Sequence, residues 1–181
     1  LQNPKQYGLS DQQKQQLEGK NGATYLVIAE SLLLDGQAKN AQAMYRESHR
    51  VTPDEPLLAF RIARCLEKQK QPENALEQLD LFFAKKTANQ GIAPYLLLER
   101  LIQQQSQDET VRAKRYLEKL QALHQANPEN HPLTYQLAQT QAVQKNDQAA
   151  ETLFRMLLSE KPTADAHRGL ITLLVTQLAK V

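Results

Sequence analysis

The residues that could carry chemistry are few, and their spacing does not assemble a reactive site. His124 and His131 are the only histidines near each other, and zinc would need further ligands at helical or hairpin spacing that the sequence lacks. Cys65 has no histidine close to it in sequence and precedes Leu66, a context typical of a small packing residue. There is no glycine-rich phosphate loop, nucleophile elbow or paired-carboxylate pocket. We therefore expect no catalytic residue, no metal site and no cofactor, and predict that the chain is not an enzyme.

The charge balance argues against a polyanionic partner. The chain has 22 Lys and Arg against 20 Asp and Glu, and a formal charge of +2 creates no long-range field that would attract nucleic acid or an anionic membrane. Apolar runs such as 170–175 are far shorter than the roughly 20 residues that cross a bilayer, so no membrane insertion is expected. The single cysteine leaves the compartment open between a reducing cytosol and a bacterial periplasm. Since the chain starts at Leu1 without Met or a leader, we expect a processed product or a piece of a longer protein.

The composition favours an all-α fold. Leu, Ala, Gln, Glu and Lys dominate, while the 181 residues include only 6 Gly, 8 Pro and no Trp. Glutamine runs such as 103–105 could indicate a low-complexity segment. They lie among good helix formers, however, so solvated helix faces and loops are the interpretation that we adopt.

Residue types recur along the chain at one constant interval of about 34 residues, which indicates a repeated structural unit. The interval joins small residues with small and large with large: Ile28 with Ile62, Ala29 with Ala63, Leu32 with Leu66, Ala41 with Ala75, and Tyr45 with Leu79. Later, Pro128 and Pro162 repeat it, and block 131–164 aligns with block 22–55 position for position.

Each block has the pattern of a helical hairpin. Apolar residues fall at i, i+3, i+4 and i+7 twice per block, with a break between the two runs. The breaks carry turn and capping residues at Asp35-Gly36, Gln71-Pro72-Glu73 and Asn146-Asp147. Three prolines close second helices, because a proline disfavours helix at the preceding residue; they are Pro53, Pro128 and Pro162. Alanines at two repeat positions are predicted where helix axes come closest: Ala29, Ala63 and Ala138 on first helices, and Ala41, Ala75 and Ala150 on second helices.

These blocks resemble tetratricopeptide repeats, whose pattern is large, Leu, small and Tyr, then Ala, aromatic, Ala and a final Pro. Block 22–55 supplies Tyr25, Ile28, Ala29, Leu32, Ala41, Tyr45, Ser48 and Pro53, and block 131–164 supplies Thr134, Leu137, Ala138, Gln141, Ala150, Phe154, Leu157 and Pro162. Block 56–89 is looser, departing at Ala59, Phe82 and Thr87. The resemblance implies an α-solenoid of antiparallel helix hairpins with a right-handed superhelix.

The predicted organisation has six segments. Residues 1–21 form an N-terminal helix that includes the end of a preceding repeat, and 22–55 and 56–89 are repeats. Residues 90–130 are a longer, irregular hairpin with helices of roughly 92–104 and 109–125. Residues 131–164 form another repeat, and 165–181 form a capping or truncated-repeat helix. The apolar face of this last helix lacks part of its cover, so self-association through it is expected; the face comprises Leu170, Ile171, Leu174 and Leu178.

The resemblance also implies a binding surface, since first helices in such proteins usually line the concave groove. Carrying those positions over assigns partner binding to Leu26, Glu30, Leu33, Phe60, Arg64, Tyr135 and Gln139, with Arg61 beside them. The alternative is that these are ordinary solvated and half-buried side chains. The Lys and Asn of carboxylate-clamp members are replaced by Leu26, Glu30, Phe60 and Arg64. The groove is thus predicted to be apolar with a local cationic centre, suited to an extended segment or helix bearing apolar anchors and an acidic residue.

The predicted function is a scaffold that binds a protein or peptide partner, as part of a larger assembly protein. Bacterial envelope proteins that organise polysaccharide export or pilus assembly are similar in fold and composition alone. Two alternatives remain open: a non-catalytic targeting arm of an enzyme whose catalytic domain lies outside this chain, and a regulator gated by a bound peptide.

Overall fold

A computed structural model describes residues 22–53, 56–86 and 91–179, and over these ranges it contains nine α-helices and no β-strand. The all-α prediction is thereby confirmed. In chain order the helices are α1 Gly22–Leu34, α2 Ala38–Val51, α3 Leu58–Lys68, α4 Pro72–Ala84, α5 Ala93–Gln105, α6 Glu109–Ala126, α7 His131–Val143, α8 Asp147–Glu160 and α9 Ala164–Leu178. The predicted N-terminal segment 1–21 lies outside the described residues, as does Thr87.

The helix ends follow from proline chemistry and side-chain caps. Helices α2, α6 and α8 each end two residues before a proline, as predicted. Pro72 is the first residue of α4, where its missing N–H costs no hydrogen bond. Asp108 caps α6 by accepting from the Thr110 and Val111 amides at 2.8 and 3.2 Å. Asn146 precedes α8 but does not cap it with its side chain, which instead donates to Gln141 Oε1 at 2.8 Å.

Three hairpin turns share one backbone geometry. Gly36, Lys70 and Lys145 each adopt a left-handed conformation, with φ of 79°, 58° and 61°. The amide after each of them donates back to a carbonyl five residues earlier, closing the first helix in the manner of a Schellman motif: Gln37 to Leu32 at 2.8 Å, Gln71 to Leu66 at 3.0 Å and Asn146 to Gln141 at 2.9 Å. The next helix begins at once, which brings the two helices of each hairpin side by side.

The chain divides into two compact units, the first ending at Phe82 and the second beginning at Phe83. In the first unit α1 packs on α2 and α2 packs on α3. Its core lies between these helices and contains Ala29, Leu33, Ala38, Ala41, Tyr45 and Cys65. Phe60 of α3 meets Phe82 with ring centroids 5.6 Å apart.

In the second unit each helix from α5 to α8 packs on the next one along the chain, and α7 also contacts α9. A buried polar network joins the first three of these helices: Tyr116 donates to the Tyr95 carbonyl at 3.1 Å, and Asn130 donates to the Tyr95 hydroxyl at 2.9 Å. Helix α5 has 13 residues, as α1 and α7 have, whereas α6 has 18. The elongation predicted for both helices of segment 90–130 is therefore found in α6 alone.

The predicted alanine register is confirmed in both units. All six alanines at the two repeat positions are completely buried. A methyl group at these positions leaves room for the neighbouring helix, whereas a longer side chain would force the helices apart. The division of the chain into repeats at 55, 89, 130 and 164 stays a prediction.

Candidate functional site

The predicted groove residues of the first unit form an ion-pair cluster. Arg64 Nη1 of α3 donates to Glu30 Oε1 and Oε2 of α1 at 2.9 and 3.1 Å. Arg61, one turn earlier on α3, brings Nε to 3.8 Å from Glu30 Oε1. Glu30 and Arg64 are 34 residues apart, so the pair joins the same position of two successive hairpins. The cationic centre predicted here is therefore bound to a carboxylate of the chain itself.

The aromatic ring of Tyr45 supports this cluster from α2. The Arg61 guanidinium lies 5.8 Å from the centre of the ring, a cation–π contact. The Tyr45 hydroxyl is buried and close to Glu30, although no hydrogen bond of ordinary geometry reaches it within the described residues. Burial raises the pKa of Tyr45, and the neighbouring Glu30 carboxylate raises it further. Tyr45 is therefore a neutral phenol at physiological pH.

Opposing effects act on the pKa of Glu30. Partial burial by itself would raise it, because a carboxylate loses hydration. The nearby Tyr45 hydroxyl, the hydrogen bonds from Arg64 and the charges of Arg64 and Arg61 together outweigh burial and hold the pKa of Glu30 below its ordinary value. Glu30 is therefore ionised at neutral pH, and the cluster combines a carboxylate with two guanidinium groups.

The apolar residues assigned to this groove lie deeper than predicted. Leu33 is 6% exposed and belongs to the core with Ala41, so little of its side chain can reach a partner. Leu26 packs on the same core and is partly buried. Phe60 is half-buried against Phe82. The family resemblance placed Leu33 in the groove because first helices usually line it, whereas in the structure Leu33 packs in the core between α1 and α2.

The second unit contains an open cleft of about 560 Å³ that includes both residues predicted there. Its walls are the last turns of α7 and the middle of α9, and α8 supplies the floor. The lining residues are Tyr135, Gln139, Ala142, Val143, Lys145, Asp147, Phe154, Arg168, Gly169, Thr172, Leu173 and Thr176.

In this cleft Tyr135 and Gln139 form a hydrogen-bonded pair next to the aromatic ring of Phe154. Gln139 Nε2 donates to the Tyr135 hydroxyl at 2.6 Å. The Tyr135 ring meets Phe154 edge-on, with centroids 6.1 Å apart. Burial raises the pKa of Tyr135, and the charge of Asp165 acts in the same direction. The hydroxyl is thus neutral, accepts from Gln139 and keeps its own hydrogen for another acceptor.

Sequence reasoning missed most of the wall facing this pair. Val143 is 82% exposed at the end of α7, and Lys145 follows in the turn. Arg168 of α9 also lines the cleft, and its Nη1 atom lies 3.4 Å from Asp165 Oδ1 on the same helix. The signal for Val143 was available, since it lies four residues after Gln139 and shares its helix face. The contribution of α9 depends on packing that no local pattern encodes.

The cysteine and the two histidines that were considered for catalysis or metal binding lie among packing and hydrogen-bonding neighbours. Cys65 is completely buried, and burial raises the pKa of its thiol to about 11, with the charge of Arg64 opposing this. His131 lies 3.3 Å from Glu160, while His124 lies 3.4 Å from Thr134. Over the described ranges, no group of three or more His, Cys, Asp and Glu side chains could hold a metal ion. None of the helices in these ranges has the length and hydropathy needed to cross a membrane.

Comparison with known proteins establishes the fold. No protein-family model and no curated protein matches the sequence. Solved structures do match. TTC0263, a thermophilic tetratricopeptide-repeat protein of Thermus thermophilus, is 19% identical, with a TM-score of 0.55 over 86% of this chain and 82% of its own. A tetratricopeptide-repeat protein from Parabacteroides merdae is 19% identical, with a TM-score of 0.51 over 86% of this chain and 59% of its own. The chain therefore has the helical-repeat fold of the tetratricopeptide-repeat proteins.

Proposed function

We propose that this chain is a protein-interaction scaffold that binds a peptide segment or a helix of a partner protein. Each unit carries its own candidate partner-binding surface, with Tyr135 and Gln139 in the second unit and the Glu30–Arg64 cluster in the first. Nucleic acid is not the proposed partner, because a net charge of +2 gives little electrostatic attraction to a phosphate backbone.

The observation that carries the proposal is the cleft of about 560 Å³ between α7 and α9. Its size is that of a site for a few side chains, and its lining includes the apolar residues Phe154 of α8 and Leu173 of α9. Val143 exposes 82% of its surface at the rim, so an apolar partner side chain that covers it would remove apolar surface from water.

The lining specifies the chemistry of the ligand. An apolar side chain of the partner would enter beside Ala142 and Val143 and displace water from the exposed Val143 side chain. The Tyr135 hydroxyl is placed to donate to a backbone carbonyl of the partner. Lys145 and Arg168 favour an acidic residue beside the apolar anchor, with Asp147 as the opposing charge in the lining. The proposed ligand is thus a segment with an apolar anchor next to an acidic side chain.

The test begins with affinity capture on the purified chain and identification of the protein retained. Overlapping peptides of that protein are then titrated calorimetrically against the wild type and Val143→Glu. A carboxylate at the rim would repel the acidic residue and hydrate the cleft, so we expect binding to weaken by about ten-fold or more.

The matched control is Val111→Glu, which puts the same charge on an exposed valine of α6 in the same unit. Both variants should melt like the wild type, because neither valine is buried. Equal binding by the wild type and Val143→Glu would reject the cleft as the partner site.

A further inference from the structure

The Glu30–Arg64 pair has the geometry of an occupied carboxylate-binding site. Both hydrogen bonds leave from Arg64 Nη1, at 2.9 and 3.1 Å. Within residues 22–53, 56–86 and 91–179, the Nε and Nη2 atoms of Arg64 make no hydrogen bond. A guanidinium normally pairs with a carboxylate through two nitrogens in parallel. Glu30 therefore uses only part of what Arg64 offers.

The pair is also within reach of solvent. The side chains of Arg64 and Glu30 are 32% and 37% exposed. An ion pair with this exposure is partly screened by water and contributes little to folding stability. A carboxylate arriving from solution can thus compete with Glu30 for the Arg64 guanidinium.

The neighbours of the pair resemble a binding surface for an acidic side chain flanked by apolar ones. Leu26 lies one turn before Glu30 on α1, and Phe60 lies one turn before Arg64 on α3, so the two apolar residues share the helix faces of the ion pair. Both are only partly buried. Arg61 adds a second positive charge 3.8 Å from the Glu30 carboxylate.

We propose that Glu30 is an internal competitor, which holds Arg64 until the carboxylate of an acidic, leucine-bearing peptide displaces it. The proposal deepens the proposed function and rests on it in one respect, that the chain binds peptides. Glu30 would then set a threshold: a neutral peptide gains nothing from Arg64, whereas an acidic peptide gains a charge-assisted hydrogen bond after overcoming Glu30.

The test uses an acetylated, amidated hexapeptide of alternating leucine and glutamate, and a matched hexapeptide with glutamine in place of glutamate. Binding is followed by NMR through the backbone amide resonances of α1 and α3 in the full chain, which every variant retains. In Glu30→Gln the competitor loses its charge, and we expect the acidic peptide to bind about five- to ten-fold more tightly, while the glutamine peptide binds as before.

Two further variants separate competition from a general charge effect. Glu47→Gln removes the carboxylate of the exposed Glu47–Arg50 pair on α2, at 2.9 Å, and should leave both affinities unchanged. Adding Arg64→Gln to Glu30→Gln should abolish the gain. Thermal melts of all variants monitor folding.

The proposal fails if Glu30→Gln leaves the affinity of the acidic peptide unchanged, if the glutamine peptide gains equally, or if neither peptide binds any variant. Each of these results leaves the cleft between α7 and α9 in place, because Val143→Glu tests that site separately. They would instead assign Glu30 and Arg64 to a structural link between two hairpins.

Discussion

Single side-chain volumes govern how closely the helices of this fold approach. Ala149 and Ala150 are adjacent on α8, yet Ala150 is completely buried and Ala149 is exposed. The two alanines share helix propensity and neighbours in sequence. They differ only in whether another helix covers them, which makes them a natural test pair.

We expect Ala150→Leu to lower the free energy of unfolding by about 1 to 3 kcal/mol, the usual effect of overpacking a filled core. Ala149→Leu should change it by less than about 0.5 kcal/mol, as exposed substitutions usually do. Urea titrations followed by far-ultraviolet circular dichroism measure both. If the two variants unfold at the same urea concentration, the packing assigned to the alanine register is incorrect.

The Glu30–Arg64 pair shows what residue types alone leave undecided. The repeat interval places the two side chains at equivalent positions, and this was legible in the sequence. Their direct contact depends on how far one hairpin is shifted against the next, a quantity that no single helix encodes. Arg64 was therefore predicted as a cationic centre for a partner, while the structure gives it an intramolecular carboxylate.

At the level of elements, the docking of α9 depends on an interior glycine. A Cβ atom added to Gly169 would come within 2.5 to 2.6 Å of the Phe154 ring on α8, closer than such atoms can lie. Glycine normally weakens a helix, since it loses more conformational freedom on folding than alanine does. Here it permits α9 to approach an aromatic ring that is itself 1% exposed and unable to move aside easily.

We expect Gly169→Ala to destabilise the second unit by about 1 to 3 kcal/mol, although alanine favours an isolated helix by about 1 kcal/mol. Amide hydrogen exchange should show faster exchange in α9 and little change in α1 to α3. Thr172→Ala, at an exposed position one turn later, is the control and should keep α9 protected. Unchanged protection of α9 in Gly169→Ala would mean that α8 and α9 accommodate the added methyl group without losing stability.

On the scale of the whole molecule, helix α9 exposes an apolar stripe within the part of the chain that the structure describes. Ile171, Val175 and Leu178 are 60%, 59% and 76% exposed on the side of α9 away from Leu173. Ile171 and Val175 correspond to Leu137 and Gln141 in the preceding repeat, which are both buried. The face predicted to lack part of its cover is partly covered in the structure, where Leu170 and Leu174 are half-buried and Ile171 and Leu178 are exposed.

We expect this stripe to cause weak, concentration-dependent self-association. Three side chains bury much less than the roughly 800 Å² per partner of a stable interface, so a tight dimer is not expected. Replacing Ile171, Val175 and Leu178 with Gln should keep the chain monomeric in sedimentation velocity, while Val111→Gln should associate like the wild type. A wild-type chain that stays monomeric at every concentration would contradict this expectation.

The sequence predicted the periodic features well because each of them is local. Helix type, the turn at Gly36 and the buried alanines all follow from spacing within a single repeat or between two successive ones. The site was predicted less completely. Leu33 was placed in the groove although hairpin closure buries it, and the α9 wall of the cleft was missed because it is formed by helix packing.

The single thiol of the chain can report how often the helices of the first unit separate. Because Cys65 is completely buried beside Ala29 and Tyr45, an alkylating reagent can reach it only when the helices around it separate. Its pKa of about 11 further limits the reactive thiolate in the closed state. The rate of alkylation divided by that of a free cysteine therefore measures the opening equilibrium of α1 to α3. Because the chain has no second cysteine, the alkylation rate reports local opening of the first unit alone and contains no contribution from the second unit.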